Sequence, residues 1–154
     1  MKYLIVYTSK TGTTKKCAEI LKVKLENSTL INLEENTPDL EKYSTIIIGT
    51  PIRMGKIDFK IKQFIKVNEK ILLTKKVGYF VCCYFENEYD NYFKANFKEE
   101  LLKHSIIYSS FGGLIDLNKL KGFSKIIANI VVKTSKKNTK INEENINKFL
   151  EKIK

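Results

Sequence analysis

Short apolar runs alternate along this chain with segments in which apolar residues recur every three or four positions. The runs, several of them rich in β-branched residues, predict strands at residues 2–7, 29–33, 45–49, 76–84 and within 105–114. The spaced segments predict amphipathic helices at residues 15–26, after the third strand, and at 90–104. Strands that alternate with helices are typical of an α/β fold with a parallel sheet.

The C-terminal part of the chain predicts two more helices, at residues 117–134 and 142–154, with Asn142 as the cap of the second. Right-handed crossovers between five strands give a doubly wound sheet with helices on both faces. Because no repeat or linker divides the sequence, we expect a single domain that spans residues 1–154.

The composition is that of a globular protein, but the charge is unusual. Of the 154 residues, 43% are hydrophobic, and no apolar run approaches the length of a membrane span. Three cysteines without metal-ligand spacing, and no secretory signal, favour a cytoplasmic location. The net charge of +11 suggests an anionic partner such as a membrane surface, nucleic acid or an acidic protein. A lysine-rich surface also arises from AT-biased coding.

A loop of hydroxyl residues joins the first strand to the first helix. The N–H groups and dipole of a helix N-terminus favour a bound anion, and Gly12 allows a tight turn close to a ligand. Serine and threonine are also common helix caps, so an ordinary capped turn is the alternative. The hydroxyls that could add donors to a phosphate are those of Ser9, Thr11, Thr13 and Thr14.

Two further loops follow the third and fourth predicted strands. Ligands of doubly wound sheets lie beyond the carboxyl ends of the strands, so these loops are expected to approach the first. Residues 49–56 contain two glycines, a proline, a methionine and two cations, which is more than a plain connection needs. Residues 82–89 are rich in aromatic side chains.

With these loops, the chain resembles the flavodoxin-like FMN-binding family over nearly its whole length. The family's phosphate loop has the pattern Ser/Thr-x-Thr-Gly-x-Thr, which residues 9–14 match. The resemblance implies the strand order 2-1-3-4-5 and FMN as the cofactor. It implies that the phosphate contacts are Ser9, Lys10, Thr11, Gly12, Thr13 and Thr14. It implies that the flavin ring contacts are Thr50, Pro51, Ile52, Arg53, Met54, Gly55, Cys83, Tyr84 and Phe85.

Within this family the chain more closely resembles the branch of the menaquinone-dependent protoporphyrinogen dehydrogenases. The resemblance rests on residues 49–56, on the later Phe111-Gly112-Gly113-Leu114, and on the basic, apolar segment that follows. Residues 86–90 are acidic, whereas the corresponding insertion of those enzymes is basic and longer. The likeness implies either an electron carrier, whose partner is a redox protein, or a dehydrogenase of a small substrate such as protoporphyrinogen IX.

The residues expected near the flavin lead to hypotheses about its potential, its packing and the role of two cysteines. Reduced flavin tends to carry negative charge, so Lys10 and Arg53 predict a less negative second midpoint potential than that of an acidic carrier. Met54, Tyr84 and Phe85 either pack on the flavin rings or cover the ends of the loops. The adjacent Cys82 and Cys83 point to opposite faces of a strand, as small hydrophobic residues or as a redox group.

The segment from residue 119 to residue 140 is basic and has no acidic residue. Apolar residues are interleaved with its lysines, which suits peripheral docking on an anionic membrane. The alternative is a core-packed helix with a solvated lysine face. The lysines are Lys119, Lys121, Lys125, Lys133, Lys136, Lys137 and Lys140.

Other functional classes match the sequence poorly. A receiver-type signalling domain needs carboxylates at the ends of the first and third strands, and neither position has one. A nucleotide triphosphatase needs a Gly-Lys-Ser/Thr ending that residues 8–14 lack. Nucleic-acid binding would suit the charge, but no recognised module is present.

Overall fold

The computed structural model describes residues 1–113 and 141–154. The predicted helix at 117–134 and the basic segment at 119–140 lie outside the described residues. Within the described part, no helix is both long and apolar enough to cross a membrane.

A twisted parallel sheet forms the centre of the described structure. Its neighbouring strands run in the order β2-β1-β3-β5-β6, and β4 pairs antiparallel with the end of β3. Because β5 and β6 are the fourth and fifth strands predicted from the sequence, the order 2-1-3-4-5 is confirmed. The strands are β1 (Tyr3–Tyr7), β2 (Ser28–Asn32), β3 (Thr45–Arg53), β4 (Lys56–Ile57), β5 (Lys76–Cys82) and β6 (Ile107–Ser110).

Helices cover both faces of the sheet, as predicted, and each face has its own apolar core. Alternate residues of β1 point to opposite sides, so Ile5 packs with α1 and α5 while Val6 packs with α2, α3 and α4. Asn142 caps α5 through a hydrogen bond from the Asn145 amide, which confirms the predicted cap. The helices are α1 (Thr13–Lys24), α2 (Phe59–Leu72), α3 (Tyr89–Asn96), α4 (Glu99–His104) and α5 (Glu143–Ile153).

The prediction of one helix at residues 90–104 is wrong, because two helices occupy this stretch. The backbone becomes extended at Phe97 and Lys98, with ψ of 148° and 141°. The Phe97 ring lies 4.9 Å from that of Tyr79 and 5.1 Å from that of Phe93. We attribute the break to this burial of Phe97 against β5, since a regular helical period gives no sign of it.

The prediction of a loop at residues 49–56 is also wrong in its form. Strand β3 continues to Arg53, and the chain turns back at once into β4, with Ile52 opposite Ile57. Met54 and Gly55 form the two-residue turn, with φ of 52° and 74°. Two left-handed residues suit the tight turn of a β-hairpin, so the stretch is a hairpin projecting from the sheet edge. We call residues 50–57 the β3–β4 hairpin.

Candidate functional site

Three connections come together beyond the carboxyl ends of the neighbouring strands β1, β3 and β5. They are the β1–α1 loop (residues 8–12), the β3–β4 hairpin, and residues 83–85, which we call the β5 loop. The Thr8 amide donates to the Gly49 carbonyl at 3.3 Å, which ties the first loop to the strand that leads into the hairpin. This edge is where ligands of doubly wound sheets bind.

The β1–α1 loop turns tightly into helix α1. Gly12 has φ of 96°, a left-handed conformation that an L side chain would strain. The Ser9 hydroxyl accepts hydrogen bonds from the amides of Gly12 and Lys15, at 3.1 and 3.3 Å. The first turn of α1 has no acidic residue. The loop therefore gathers backbone donors around a hydroxyl, at a helix end that favours negative charge.

Thr8 carries a buried polar atom that has no partner among the described residues. Its side chain is fully buried at the base of the loop, and its hydroxyl makes no hydrogen bond with the described residues. Tyr79, whose hydroxyl is likewise unpartnered, lies instead in the core beneath α3. A buried hydroxyl without a hydrogen bond destabilises a folded protein. The missing bond at Thr8 therefore fits a loop that binds an anionic group, whose oxygens could accept from this hydroxyl.

Lys10 extends across the sheet edge into a cluster of four charged groups. Its ammonium lies 3.2 Å from the carboxylates of both Glu34 and Asp58, and Lys60 lies 2.8 Å from Glu34. The Glu34 carboxylate, and then that of Asp58, raises the pKa of Lys10. Lys60 and Lys10 in turn lower the pKa of Glu34. Two cations and two carboxylates leave this cluster close to neutral.

The β3–β4 hairpin presents exposed side chains on a backbone that hydrogen bonds hold in place. The Thr50 hydroxyl is buried, accepts from the Asp58 amide at 3.1 Å and donates to the Pro51 carbonyl. Met54, at the tip, is 83% exposed. Arg53 is also exposed, and it has no acidic partner within residues 1–113 and 141–154. The hairpin can therefore offer a soft apolar side chain, together with the cations of Arg53 and Lys56, to a ligand.

Asn96, the last residue of α3, is a site residue that the sequence reasoning missed. Its side chain donates to the Gly55 carbonyl at 2.8 Å and accepts from the Ile57 amide at 3.2 Å. No spacing pattern indicated this contact, because Asn96 fell inside the single helix predicted at residues 90–104.

The β5 loop separates aromatic groups at the surface from a buried thiol. The rings of Tyr84 and Phe85 meet edge to face at 5.1 Å, and Phe85 is 40% exposed. Cys83 points inward instead, with its sulfur 3.3 Å from the Ser110 hydroxyl. The backbone of Gly113 packs directly against the β5 loop. A Cβ at this position would lie only 2.7 Å from the Cys83 carbonyl oxygen. Any contact of Cys83 with a ligand at this edge would have to come from its backbone.

The three thiols are all buried. Cys17 and Cys82 lie in the core on one face of the sheet, and Cys83 lies in the core on the other face. Cys82 and Cys83 lie on opposite faces, as their adjacent positions predicted. The Cys82 sulfur lies 3.7 Å from that of Cys17. Hydrogen bonding to Cys17, together with burial, raises the pKa of Cys82, and burial raises the pKa of Cys83 to about 11. Such protonated, enclosed thiols have the character of small hydrophobic residues.

The predicted site residues thus gather at one edge but differ in what their side chains can do. Those of Ser9, Lys10 and Thr50 are engaged within the protein, and Thr14 hydrogen-bonds Cys82. Met54, Tyr84 and Phe85 remain at least partly accessible. Within the described part of the chain, no group of acidic, histidine or cysteine residues could hold a metal ion.

Comparison with known proteins agrees with this architecture. A family model described as a flavodoxin domain matches residues 4–142. Among curated proteins, none matches the chain.

Solved structures with the same fold include small flavoproteins and one domain of a larger enzyme. A flavoprotein of Lactobacillus acidophilus, solved with FMN, is 18% identical with a TM-score of 0.53, covering 71% of this chain and 92% of that one. The two-electron reduced flavodoxin of Megasphaera elsdenii is 20% identical, with a TM-score of 0.54 and coverages of 70% and 84%. Rubredoxin oxygen:oxidoreductase of Desulfovibrio gigas is 11% identical, with a TM-score of 0.58, covering 99% of this chain but 35% of that one. At these identities the likeness shows the fold alone.

Proposed function

Because the chain belongs to the flavodoxin domain family, we propose that it binds FMN at the three connections described above and transfers electrons through it. The observation that carries the proposal is the β1–α1 loop. There, backbone donors gather at a helix N-terminus, and the buried Thr8 hydroxyl has no partner in residues 1–113 and 141–154.

The β1–α1 loop would hold the FMN phosphate. The residues for this role are those of the family pattern: Ser9, Lys10, Thr11, Gly12, Thr13 and Thr14. The left-handed Gly12 lets the backbone approach the phosphate, and the dipole of α1 stabilises its charge. Lys10 would contribute less than a free lysine, because Glu34 and Asp58 already balance its charge.

The β3–β4 hairpin and the β5 loop would hold the isoalloxazine ring. When bound, FMN supplies the one- and two-electron redox chemistry, and the protein orients it and sets its potential. The exposed thioether of Met54 and the Tyr84–Phe85 pair supply soft and aromatic surfaces for a planar ligand. Thr50, Pro51, Ile52, Gly55 and Cys83 supply the backbone that frames the ring.

A second candidate is a dehydrogenase that oxidises a protoporphyrinogen-like substrate and passes the electrons to a quinone. The observation in its favour is the basic hairpin, where Arg53 and Lys56 stand opposite each other at the tip, on a protein of net charge +11. Two cations beside the flavin would attract an anionic, carboxylate-bearing substrate. If the protein is such a dehydrogenase, we expect the site to lie close to the inner face of the membrane, where the quinone is.

The cofactor is tested by purification without added flavin. The proposal predicts a flavin absorbance spectrum and, after denaturation, release of FMN identified by mass spectrometry. A protein that purifies colourless and neither quenches FMN fluorescence nor gains a flavin spectrum on reconstitution would overturn it.

Two assays distinguish the electron carrier from the dehydrogenase: electron transfer from the reduced protein to cytochrome c, and porphyrin formation by the oxidised protein. A carrier, once reduced by dithionite, passes electrons to cytochrome c in a stopped-flow experiment. It forms no porphyrin fluorescence from protoporphyrinogen IX with menadione beyond a free-FMN control. A dehydrogenase instead forms porphyrin well above that control under anaerobic conditions.

A further inference from the structure

Asn96 links helix α3 to the turn of the β3–β4 hairpin. Its amide nitrogen donates to the Gly55 carbonyl and to the Tyr92 carbonyl, each at 2.8 Å, and its amide oxygen accepts from the Ile57 amide at 3.2 Å. One partly buried side chain therefore satisfies a donor and an acceptor on the hairpin while it is fixed to its own helix.

The hairpin has little else in its own structure to hold its turn. Strand β4 is two residues long, and a ladder of that length is marginal in water. The turn also places Met54, a residue with a side chain, in the left-handed region at φ of 52°, which costs free energy. Such a conformation persists where neighbouring groups enforce it, and the two bonds from Asn96 flank the turn on its carboxyl side.

We propose that Asn96 is a positioning residue for the cofactor. It fixes the Met54–Gly55 turn in the conformation that receives the flavin ring, so that the hairpin is ordered before binding. This inference rests on the proposed function, because it takes the hairpin to be a flavin contact. A preordered turn raises affinity since binding does not have to order it.

Three variants test the role of Asn96. Asn96→Ala removes both bonds to the hairpin. Asn96→Asp keeps an acceptor for the Ile57 amide but replaces the donor to Gly55 with a carboxylate oxygen. Asn91→Ala is the matched control, because Asn91 lies on the same helix and bonds only Glu88 among the described residues.

The first measurement is made on the apoprotein and does not involve the cofactor. Trypsin can cleave after Arg53 and after Lys56, on either side of the turn, so the cleavage rate reports how ordered the turn is. We expect Asn96→Ala to be cleaved there about tenfold faster than the wild type, Asn96→Asp at an intermediate rate, and Asn91→Ala at the wild-type rate. Urea unfolding of each variant shows that the comparison is between folded proteins.

The second measurement is the affinity for FMN and for riboflavin, with both midpoint potentials. We expect Asn96→Ala to weaken the binding of both flavins about tenfold. The variant disturbs the hairpin that would contact the ring, which both flavins share, and leaves the phosphate loop unchanged. Faster cleavage with unchanged affinities and potentials would overturn the inference, since Asn96 would then only stabilise the hairpin. Unchanged cleavage would overturn it as well. If the wild type binds neither flavin, the proposed function itself fails, and this is seen without any variant.

Discussion

The ammonium group of Lys10 lies 3.2 Å from the carboxylate of Asp58, and this ion pair joins the β1–α1 loop to the start of helix α2. The Asp58 side chain is only 7% exposed, and it also caps α2 by accepting from the Lys60 amide at 2.9 Å. Lys10 therefore links the β1–α1 loop to the residue that directly follows the β3–β4 hairpin. Its ion pairs give Lys10 a structural role in addition to the proposed contact with the phosphate.

The variant Lys10→Gln should lower both the stability of the apoprotein and its affinity for FMN. Loss of the partner leaves the nearly buried Asp58 less compensated, which we expect to cost about 1 kcal/mol in the free energy of unfolding. It also leaves the cluster with net negative charge beside the expected phosphate. Urea unfolding and FMN titration measure the two effects. Adding Asp58→Asn should restore part of each loss, and equal losses in the presence and absence of Asp58 would show that the pair is not coupled.

The variant Arg53→Gln should make the second midpoint potential more negative, by roughly 30–60 mV for a one-electron step. Arg53 is exposed on the hairpin and has no acidic partner among the described residues, so its charge would act without compensation on a reduced flavin bound at this edge. The double variant Lys10→Gln/Asp58→Asn should shift the potential less, because it removes a cation and an anion together. Spectroelectrochemical titration of both proteins gives the comparison. A larger shift in the double variant would contradict this assignment of charges.

The variant Thr8→Val should stabilise the apoprotein and weaken FMN binding. The change keeps the shape of the side chain and removes a buried hydroxyl that has no partner in the described part of the chain, so we expect a gain of about 1 kcal/mol in unfolding free energy. If the hydroxyl is satisfied only when the phosphate is bound, FMN affinity should fall several-fold while riboflavin affinity is unchanged. Equal changes for both flavins would mean that Thr8 does not serve the phosphate.

The variant Gly49→Ala should destabilise the protein, because the added methyl group would clash with the core beneath the site. A Cβ at position 49 would lie 2.1 Å from the Phe80 ring, which stacks on Phe111 at a centroid distance of 4.5 Å. Overpacking of a full core typically costs about 1–3 kcal/mol, and urea unfolding of the variant would measure the loss in unfolding free energy. Replacing Phe80 with Leu in the same protein should recover part of the loss. A double variant that is less stable than expected from the two single changes would argue against this clash.

The three thiols should be unreactive in the folded protein. Ellman's reagent at pH 8 should detect none of them quickly, and all three after unfolding in urea, because burial shields the sulfur atoms from the reagent. Rapid native labelling of Cys83 would contradict its inward orientation.

The same burial gives a pH dependence of stability. An unfolded cysteine loses its proton near pH 8.5, whereas Cys83 in the folded protein keeps it to about pH 11. The native state therefore binds more protons over this range, and the free energy of unfolding should fall as pH rises from about 8.5 to 11. Replacing Cys83 with Ala should flatten this fall, as measured by urea unfolding across the range.

The strands and the positions of the loops could be predicted because buried parallel strands leave clear apolar runs, whereas the strand order came from the family resemblance. The details of the site could not, because they depend on contacts between residues distant in sequence. Asn96 bonds to Gly55, and Lys10 to Asp58, without any local pattern that would reveal them. The break at Phe97 likewise follows from its packing on Tyr79, which helical spacing does not encode.

That this protein binds FMN through the phosphate at the β1–α1 loop can be checked by titrating the apoprotein with FMN and with riboflavin. The two ligands share the isoalloxazine ring and differ in the phosphate. We expect FMN to bind at least about 100-fold more tightly, since the phosphate should contribute roughly 3 kcal/mol or more at the helix N-terminus. Equal affinities for the two ligands, or no binding of either, would contradict the claim.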